Sequence, residues 1–474
     1  MTTPLWDDDA DVVVVGYGGA GASAAIAAHD AGAKVLIVEK NHGGGNTKLA
    51  TRTFISPENS PAAQQHILAL SMGMLGEKTI DSCLQWMSQN NNFIRELGEE
   101  VEICPPGATF PALPGAETMI RYRVKASDNE RGGESLWNLL GRNVEARKIR
   151  IHRKTAATKL VREENEIIGI EADQEGQRIR IRAARAVILT TGGFEYNEEM
   201  KREYLAGYPI YAYGHSGNTG DGIKLAQDVG ADLWHMKAVA APMGLKFPEY
   251  ESAFIMRMPA DGYVIVDQIG RRFCNETGLE HYSMWMAVTR FDMEQLRYLR
   301  IPSFLIFDEQ TRQRGPITSV GHGANRGYEW SSDNQIEINR GWIVKGKDSR
   351  DLAHKLGIHD EAQLSATLAL YREACRRGRD DEFGRAPRSL IELQGDLYSL
   401  PLWPCLLNTQ GGPKRNSRGQ VLDVWGNPIK RLYSAGELGS IWGFLYQSGG
   451  NLGECLGLGR MVGTHAAAEM PFSQ

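Results

Sequence analysis

The chain has no Cys-x-x-Cys and no Cys-x-x-Cys-His. Its six cysteines, at positions 83, 104, 274, 375, 405 and 455, are scattered. That distribution fits reduced thiols and argues against zinc, iron–sulfur or covalently attached haem. The histidines show no metal-ligand spacing either. Runs of lysine or arginine are missing, and the formal net charge is −5, so neither nucleic acid nor an anionic membrane is an expected partner. No apolar stretch is long enough to span a bilayer. The start, Met1 to Asp11, is acidic, so no signal peptide, twin-arginine signal or transmembrane span is expected, and a cytoplasmic location fits. Internal repeats, low-complexity tracts and linkers are also missing. What remains is ordinary for a globular protein, with 42% hydrophobic and 23% charged residues in 474. That length allows a large core and two or more domains.

Against this plain background the opening stands out. Residues 12–21 read Val-Val-Val-Val-Gly-Tyr-Gly-Gly-Ala-Gly, and a second apolar run, Val35-Leu36-Ile37-Val38, ends at Glu39. The valines predict a buried parallel strand. Gly16 permits the tight turn, Gly18 lets the backbone approach a pyrophosphate, and Gly21 lets the next helix pack closely on the strand. That helix, from Ala20 to Asp30 and just after Gly19, points the free N–H groups of its N-terminus at the phosphates. Glu39, eighteen residues after Gly21, is placed to accept a ribose hydroxyl. Strand, glycines, helix, strand and acid in this order predict an adenine dinucleotide site.

Two further elements choose the dinucleotide. The first, Gly43-Gly44-Gly45-Asn46-Thr47-Lys48-Leu49-Ala50, follows Lys40 closely and precedes Thr51. Its small residues let a flat ring system lie against backbone. The second comes near the end, Gly436-Glu437 and then Gly449-Gly450-Asn451-Leu452-Gly453, running into a helix. Two glycine-rich elements far apart in sequence suit a long ligand gripped at both ends, which is FAD; NAD needs only the first. A second Gly-x-Gly-x-x-Gly is missing, so a separate pyridine-nucleotide site is not supported.

The rest of the chain predicts an α/β fold: a Rossmann-type FAD-binding domain with an inserted α+β capping domain. Residues 59–98 read as two helices with core stripes, and 102–134 as a loop rich in proline and glycine that borders a substrate site. Apolar or alternating runs at 149–152, 157–161, 166–172 and 178–189 read as a β-meander returning to the sheet. The expected domains are 1–231 (FAD, first part), 232–342 (cap) and 343–474 (FAD, second part).

These residues resemble the flavoprotein family of fumarate reductases, succinate dehydrogenases and 3-ketosteroid dehydrogenases. The matching segments come in family order. They are Gly44-Gly45-Asn46, the strand ending Thr190-Thr191-Gly192-Gly193-Phe194, Gly217-Asn218-Thr219-Gly220-Asp221-Gly222 and Gly270-Arg271-Arg272-Phe273-Cys274-Asn275-Glu276. Asp381-Glu382-Phe383-Gly384-Arg385, Thr409-Gln410-Gly411-Gly412 and Ser434-Ala435-Gly436-Glu437 complete the series. The resemblance implies bound FAD. It adds Thr191, Gly192 and Asp221 to the cofactor set, with Glu437 on a ribityl hydroxyl and the N–H groups of Asn451 and Leu452 at the N1–O2 edge of the reduced flavin. His42 comes too early relative to Gly44-Gly45-Asn46 for a histidyl link, so the FAD is expected to be noncovalent.

The resemblance leaves the reaction open, and departures from the fumarate-reductase pattern narrow it. Those members carry an arginine shortly after the Asn-Glu of the cap, a histidine before Thr-x-Gly-Gly, and an arginine two residues before the last Gly-Gly-Asn. Here Glu280, Asn408 and Gln447 stand in these places. A neutral amide cannot replace a carboxylate-clamping guanidinium in charge or geometry. Tyr446-Gln447-Ser448 before Gly449-Gly450-Asn451 instead resembles the 3-ketosteroid Δ4-(5α)-dehydrogenase branch. That likeness implies desaturation α,β to a ring ketone, with Tyr446 donating to the carbonyl oxygen or carrying the α-proton. Ser448 either assists Tyr446 or caps the last helix. The cap's tyrosine is expected at Tyr282, displaced by a few residues from the family position. His281 beside it titrates nearer neutrality, and Tyr122 is a further candidate. A smaller ketone carrying a carboxylate would find Arg121 or Arg123. Two rival readings remain: an enone or enoate reductase running the reverse reaction, and a flavin-binding electron-transfer subunit without a substrate. The electron acceptor is not specified by the sequence.

Overall fold

A computed structural model of the chain describes residues 6–125, 132–358 and 360–472. The first five residues of the acidic start and residues 126–131 of the predicted loop therefore lie outside the described residues. The chain divides into two compact units. The first comprises Met1–Leu205, His215–Val239 and Asn408–Gln474; the second comprises Ala206–Gly214 and Ala240–Leu407.

In the first unit the predicted fingerprint forms as a strand, β1 (Asp8–Val15), a helix, α1 (Gly19–Asp30), and β2 (Val35–Val38). Residues 12–15 and 35–38 are at most 5% exposed, and full burial of such side chains contributes roughly 1.5–3 kcal/mol each. A small sheet follows, with β3 (Thr53–Ile55) and β4 (Val101–Ile103) antiparallel to β5 (Arg121–Val124) between them. Then come β6 (Arg150–His152), β7 (Thr155–Glu163), β8 (Glu166–Gln174) and β9 (Gln177–Leu189). The main sheet runs from Gln420–Leu422 through Pro428–Ser434, β8, β9, β1 and β2 to β6. Strands β9, β1, β2 and β6 are parallel, in the register Val13 opposite Leu36 and Val187. The C-terminal helix, Gly450–Ala467, lies along α1. A methyl at Gly463 would stand 2.2 Å from the Ala24 carbonyl, so close approach of the two backbones requires the glycine.

Two local expectations change. The 102–134 stretch is not all loop, because Arg121-Tyr122-Arg123-Val124 makes β5, whose partners are distant in sequence. Residues 59–98 form three helices, Pro61–Leu70, Glu77–Met87 and Asn90–Glu96. The last begins at Asn90, whose buried amide donates to the Ile55 and Gly453 carbonyls at 2.9 and 2.8 Å.

The second unit is built around the long strand Leu397–Leu406. Antiparallel to it run Met243–Leu245, Ser303–Asp308 and Val344–Gly346; Tyr211–Ala212 pairs with it in parallel. Its boundary corrects the expected return at residue 343. Leu352, Ala353, Leu364 and Tyr371 pack with Val264, Val266 and Ile306 in one buried cluster, so the helices Ser349–Leu356 and Glu361–Arg377 belong here. Their amphipathic period is the same whichever sheet they cover. A buried ionic clamp explains two of the sequence segments. Arg272 donates to Glu276 at 2.8 and 2.9 Å and to Asp380 at 2.9 and 3.3 Å, while Arg385 donates to the Tyr263 carbonyl at 2.6 Å and to Glu276 at 3.3 Å.

Candidate active site and cofactor cleft

The carboxyl ends of β1, β2 and β9 open into a cleft within the first unit. Gly16, Gly18, Gly19, Ala20, Glu39, Lys40, Gly45, Asn46, Thr47, Thr191, Gly192, Asp221 and Glu437 line it. Parallel strands present their carboxyl ends here because each is followed by a crossover, which leaves a crevice beside the helix N-terminus. Gly21, Gly44 and Gly436 support the lining from behind. A methyl at Gly21 would stand 2.0 Å from the Gly16 carbonyl, and one at Gly436 would stand 2.7 Å from Ala20. Gly44 donates its N–H to Tyr17 O at 2.8 Å. Ala50, Thr51, Asn451 and Leu452 are not among the lining residues.

The cleft's polar groups are organised before any ligand arrives. Glu39 accepts from the backbone N–H of Tyr17 at 2.8 Å and of Asn41 at 2.7 Å, which fixes the carboxylate while leaving lone pairs for a ribose hydroxyl. Lys40 Nζ donates to Asp221 at 2.5 Å and to Thr219 at 2.9 Å. Thr47 Oγ1 accepts from Gly19 N at 3.0 Å, while Gly18, at the start of α1, supplies no capping side chain. Over Gly18 the nearest atom to a hypothetical Cβ is 4.0 Å away, so there is room for a bulky anion at the helix N-terminus. These features fit FAD: an open glycine turn, helix N–H groups, an oriented acid and a second grip at Glu437. When bound, the flavin supplies the hydride acceptor.

Sequence reasoning missed several lining residues, among them Tyr17, Asn41, Thr155, Ala157, Thr190, His215, Asn218 and Cys455. Tyr17, Thr190 and Asn218 stand inside the glycine-rich segments named above and were the easiest to find. Thr155 and Ala157 lie on β7, whose alternation marks a strand and nothing more. Burial lowers the His215 imidazole below its usual range and raises the Cys455 thiol. His42 is exposed and does not line the cleft.

At the C-terminal element, Gln447 is fully buried. Its Oε1 accepts from Thr109 N at 3.1 Å, and its Nε2 donates to the carbonyls of Gly107 at 2.9 Å and Ser448 at 3.1 Å. Ser448 N donates to Thr109 Oγ1 at 2.7 Å, and Arg121 Nη1 donates to Ser448 Oγ at 3.2 Å. Ser448 is not the cap of the last helix. That position is Gly449, with φ +77° and no side-chain bond, so the capping expectation is corrected. Tyr446 is 5% exposed. Asn451 exchanges amide hydrogen bonds with Gln410 at 3.1 and 3.3 Å, leaving its backbone N–H at the helix start. Tyr122 sits on β5 with its ring stacked on Phe54, centroids 6.1 Å apart. Arg123 pairs with Glu102.

His281 and Tyr282 belong to the second unit, in the short turn His281–Ser283. Burial, reinforced by Arg257, brings His281 down to about 4, so its imidazole is neutral near pH 7. Of two further residues in this unit, the sequence reading named Glu280 and missed His322. Neither ring nitrogen of His322 has a hydrogen-bond partner among the described residues, and burial lowers it to about 4 as well. Burial raises the Glu280 carboxyl, whose Oε2 has no partner among the described residues.

The chain matches the FAD binding domain family over residues 11–452. It is 28% identical to the NADH:fumarate oxidoreductase of Klebsiella pneumoniae over 96% of this chain and 47% of that protein. It is 29% identical to the 3-oxosteroid 1-dehydrogenase of Mycolicibacterium smegmatis over 68% of this chain and 59% of that protein. The chain thus spans about half the length of the first curated relatives it matches. The 3-ketosteroid Δ1-dehydrogenase of Sterolibacterium denitrificans superposes with a TM-score of 0.86 at 22% identity, covering 97% of this chain and 100% of that one. Among the described residues, no helix is long and apolar enough to cross a membrane. With the dinucleotide cleft formed and the family matched along nearly its whole length, the chain belongs to the FAD binding domain family.

Proposed function

We propose that this flavoprotein desaturates a carbon–carbon bond α,β to the ketone of a cyclic substrate, holding its FAD noncovalently. The observation that carries the reading is the state of Gln447. At the place where related dicarboxylate reductases hold a carboxylate-binding arginine, this chain has a neutral amide bonded to the backbone of Thr109, Gly107 and Ser448. The neighbouring Tyr446 and Ser448 supply hydroxyls suited to a carbonyl oxygen rather than to a dianion. In this reading the Tyr446 hydroxyl stabilises the developing enolate as the α-proton leaves.

A second reading is kept because of Arg121. Its guanidinium donates to the Cys104 carbonyl and to Ser448 and forms no ion pair among the described residues. A cation next to this element favours a substrate that also carries a carboxylate, which includes enoates reduced in the reverse direction. Anaerobic bleaching of the bound flavin by a panel of cyclic ketones, with and without a ring carboxylate, tests both. Bleaching by neutral ketones supports the first reading. Bleaching confined to carboxylated substrates supports the second. No bleaching by any ketone, together with rapid reoxidation of the reduced protein by an enoate, overturns the desaturase reading.

A further inference from the structure

Glu195 lies beside the cleft, is 1% exposed and has no assigned role. It faces Glu437, which lines the cleft. A methyl at Gly193 would stand 2.8 Å from Glu195 Oε2 and 2.8 Å from Glu437 Oε1, so the two carboxyl groups share one small space. They also share their donors. Asn46 Nδ2 reaches Glu195 at 3.2 Å and Glu437 at 3.1 and 3.3 Å; Asn218 Nδ2 reaches them at 3.4 and 3.5 Å. No lysine or arginine pairs with either among the described residues. Glu195 Oε2 is buried without a partner when both groups are counted as acceptors. Two buried carboxylates this close, without a cation, cannot both ionise. A proton on one satisfies the orphaned oxygen of the other.

We infer that Glu195 and Glu437 hold one proton between them, that it resides on Glu437, and that Glu195 is the positioning residue that keeps it there so that Glu437 meets FAD as a neutral donor. The asymmetry comes from the surroundings. Glu195 also accepts from Thr409 N at 3.3 Å, so it is the better-solvated anion. Glu437 has the cleft on its other side, where a diphosphate-bearing ligand is repelled by a carboxylate and welcomed by a hydroxyl. The directions agree: burial first, and then the Glu195 charge, push Glu437 well above the usual carboxylate range.

The other charged groups around the pair are already engaged. Glu454, on the C-terminal helix, is buried and paired with Arg415 and Ser440. The Cys455 thiol is raised by burial. Lys40 is paired with Asp221, and Glu39 is held by backbone N–H groups. His215 gives its backbone N–H to Asn46 Oδ1 at 2.7 Å and is lowered by burial.

The test follows FAD release from the holoenzyme by its fluorescence on dilution between pH 6 and 10, for wild type, Glu437→Gln and Glu195→Gln. A neutral Glu437 predicts tight, flat retention at low pH. Above the pair's upper ionisation, retention should weaken by up to about ten-fold per pH unit, the slope of one linked proton. Glu437→Gln should lose the pH dependence and give a flat profile whatever its absolute retention, because an amide does not titrate. Glu195→Gln should be the worse variant, since removing the neighbouring charge lets Glu437 ionise into the cleft. A flat wild-type profile, or a Glu437→Gln profile that keeps the wild-type pH dependence, overturns the inference. If a variant fails to fold, the wild-type holoenzyme still decides. Its infrared spectrum should contain the carbonyl stretch of a buried protonated carboxyl at pH 8, and a spectrum without one overturns the inference.

Discussion

Arg121 Nη1 donates to Ser448 Oγ at 3.2 Å, which ties β5 to the glycine-rich turn before the last helix. The bond spans 327 residues of chain and gives the serine hydroxyl a task other than helix capping. Ser448→Ala should therefore leave thermal stability within about 1 kcal/mol of the parent, the scale of a single net hydrogen bond. It should, however, change the substrate KM, because it frees the guanidinium. Equilibrium unfolding beside steady-state kinetics separates the two. A large stability loss with unchanged KM would return Ser448 to a purely structural role.

Gln447 predicts that fumarate is a poor oxidant of the dithionite-reduced protein. It also predicts that Gln447→Arg fails to create a fumarate reductase. The arginine would have to break the contacts to Gly107 and Thr109, and each buried group left unpaired costs about 1–3 kcal/mol. Stopped-flow reoxidation and thermal unfolding measure both. Rapid fumarate-dependent reoxidation of the wild type would place a carboxylate clamp elsewhere and remove the main argument for a ketone.

The dinucleotide half of this protein was legible in its sequence because its signals are local. Four valines, three glycines and an acid within 28 residues specify β1, α1 and Glu39 without help from the rest of the chain. What was not legible depends on pairings between distant residues. Glu195 and Glu437 lie 242 positions apart, and neither carboxylate alone marks a shared proton. Ser448 is a common capping residue by type, yet the helix starts one residue later than a serine cap requires, at a glycine with positive φ. The helices after Ser349 could have covered either sheet. Only packing against Val264 and Ile306 assigns them.

Three histidines give the fold a definite acid response. His235, His281 and His322 are each lowered to about 4, mainly by burial. In the unfolded chain a histidine titrates near 6.5. Between these values the unfolded state binds protons that the folded state refuses, so stability is complete above about pH 6.5 and falls as the pH drops toward 4. For His322, at 4% exposure, the loss between pH 6.5 and 5 should be about 2 kcal/mol. His322→Asn should flatten the fall in melting temperature over that range. A variant whose decline parallels the wild type would mean that His322 is already protonated by an internal partner at neutral pH.

Tyr446→Phe should damage turnover far more than flavin binding. Tyr446 is buried directly before Gln447 and Ser448, and the cofactor cleft is lined without it. Phenylalanine keeps the ring and its packing and removes only the hydroxyl. If that hydroxyl donates to the substrate carbonyl as the α-proton leaves, its loss costs about 10²–10³ in rate, or ~2.7–4 kcal/mol. Single-turnover bleaching of the flavin by a cyclic ketone reads the rate, with flavin content and thermal unfolding as controls. A smaller loss accompanied by a raised KM would mean that the hydroxyl binds substrate and transition state equally. An unchanged bleaching rate with full flavin content would reduce Tyr446 to packing. The proton chemistry would then rest with Tyr282, His281 or Tyr122. Of these, Tyr122 is the weakest because its ring is stacked on Phe54, which leaves the turn at His281 and Tyr282 as the next place to substitute.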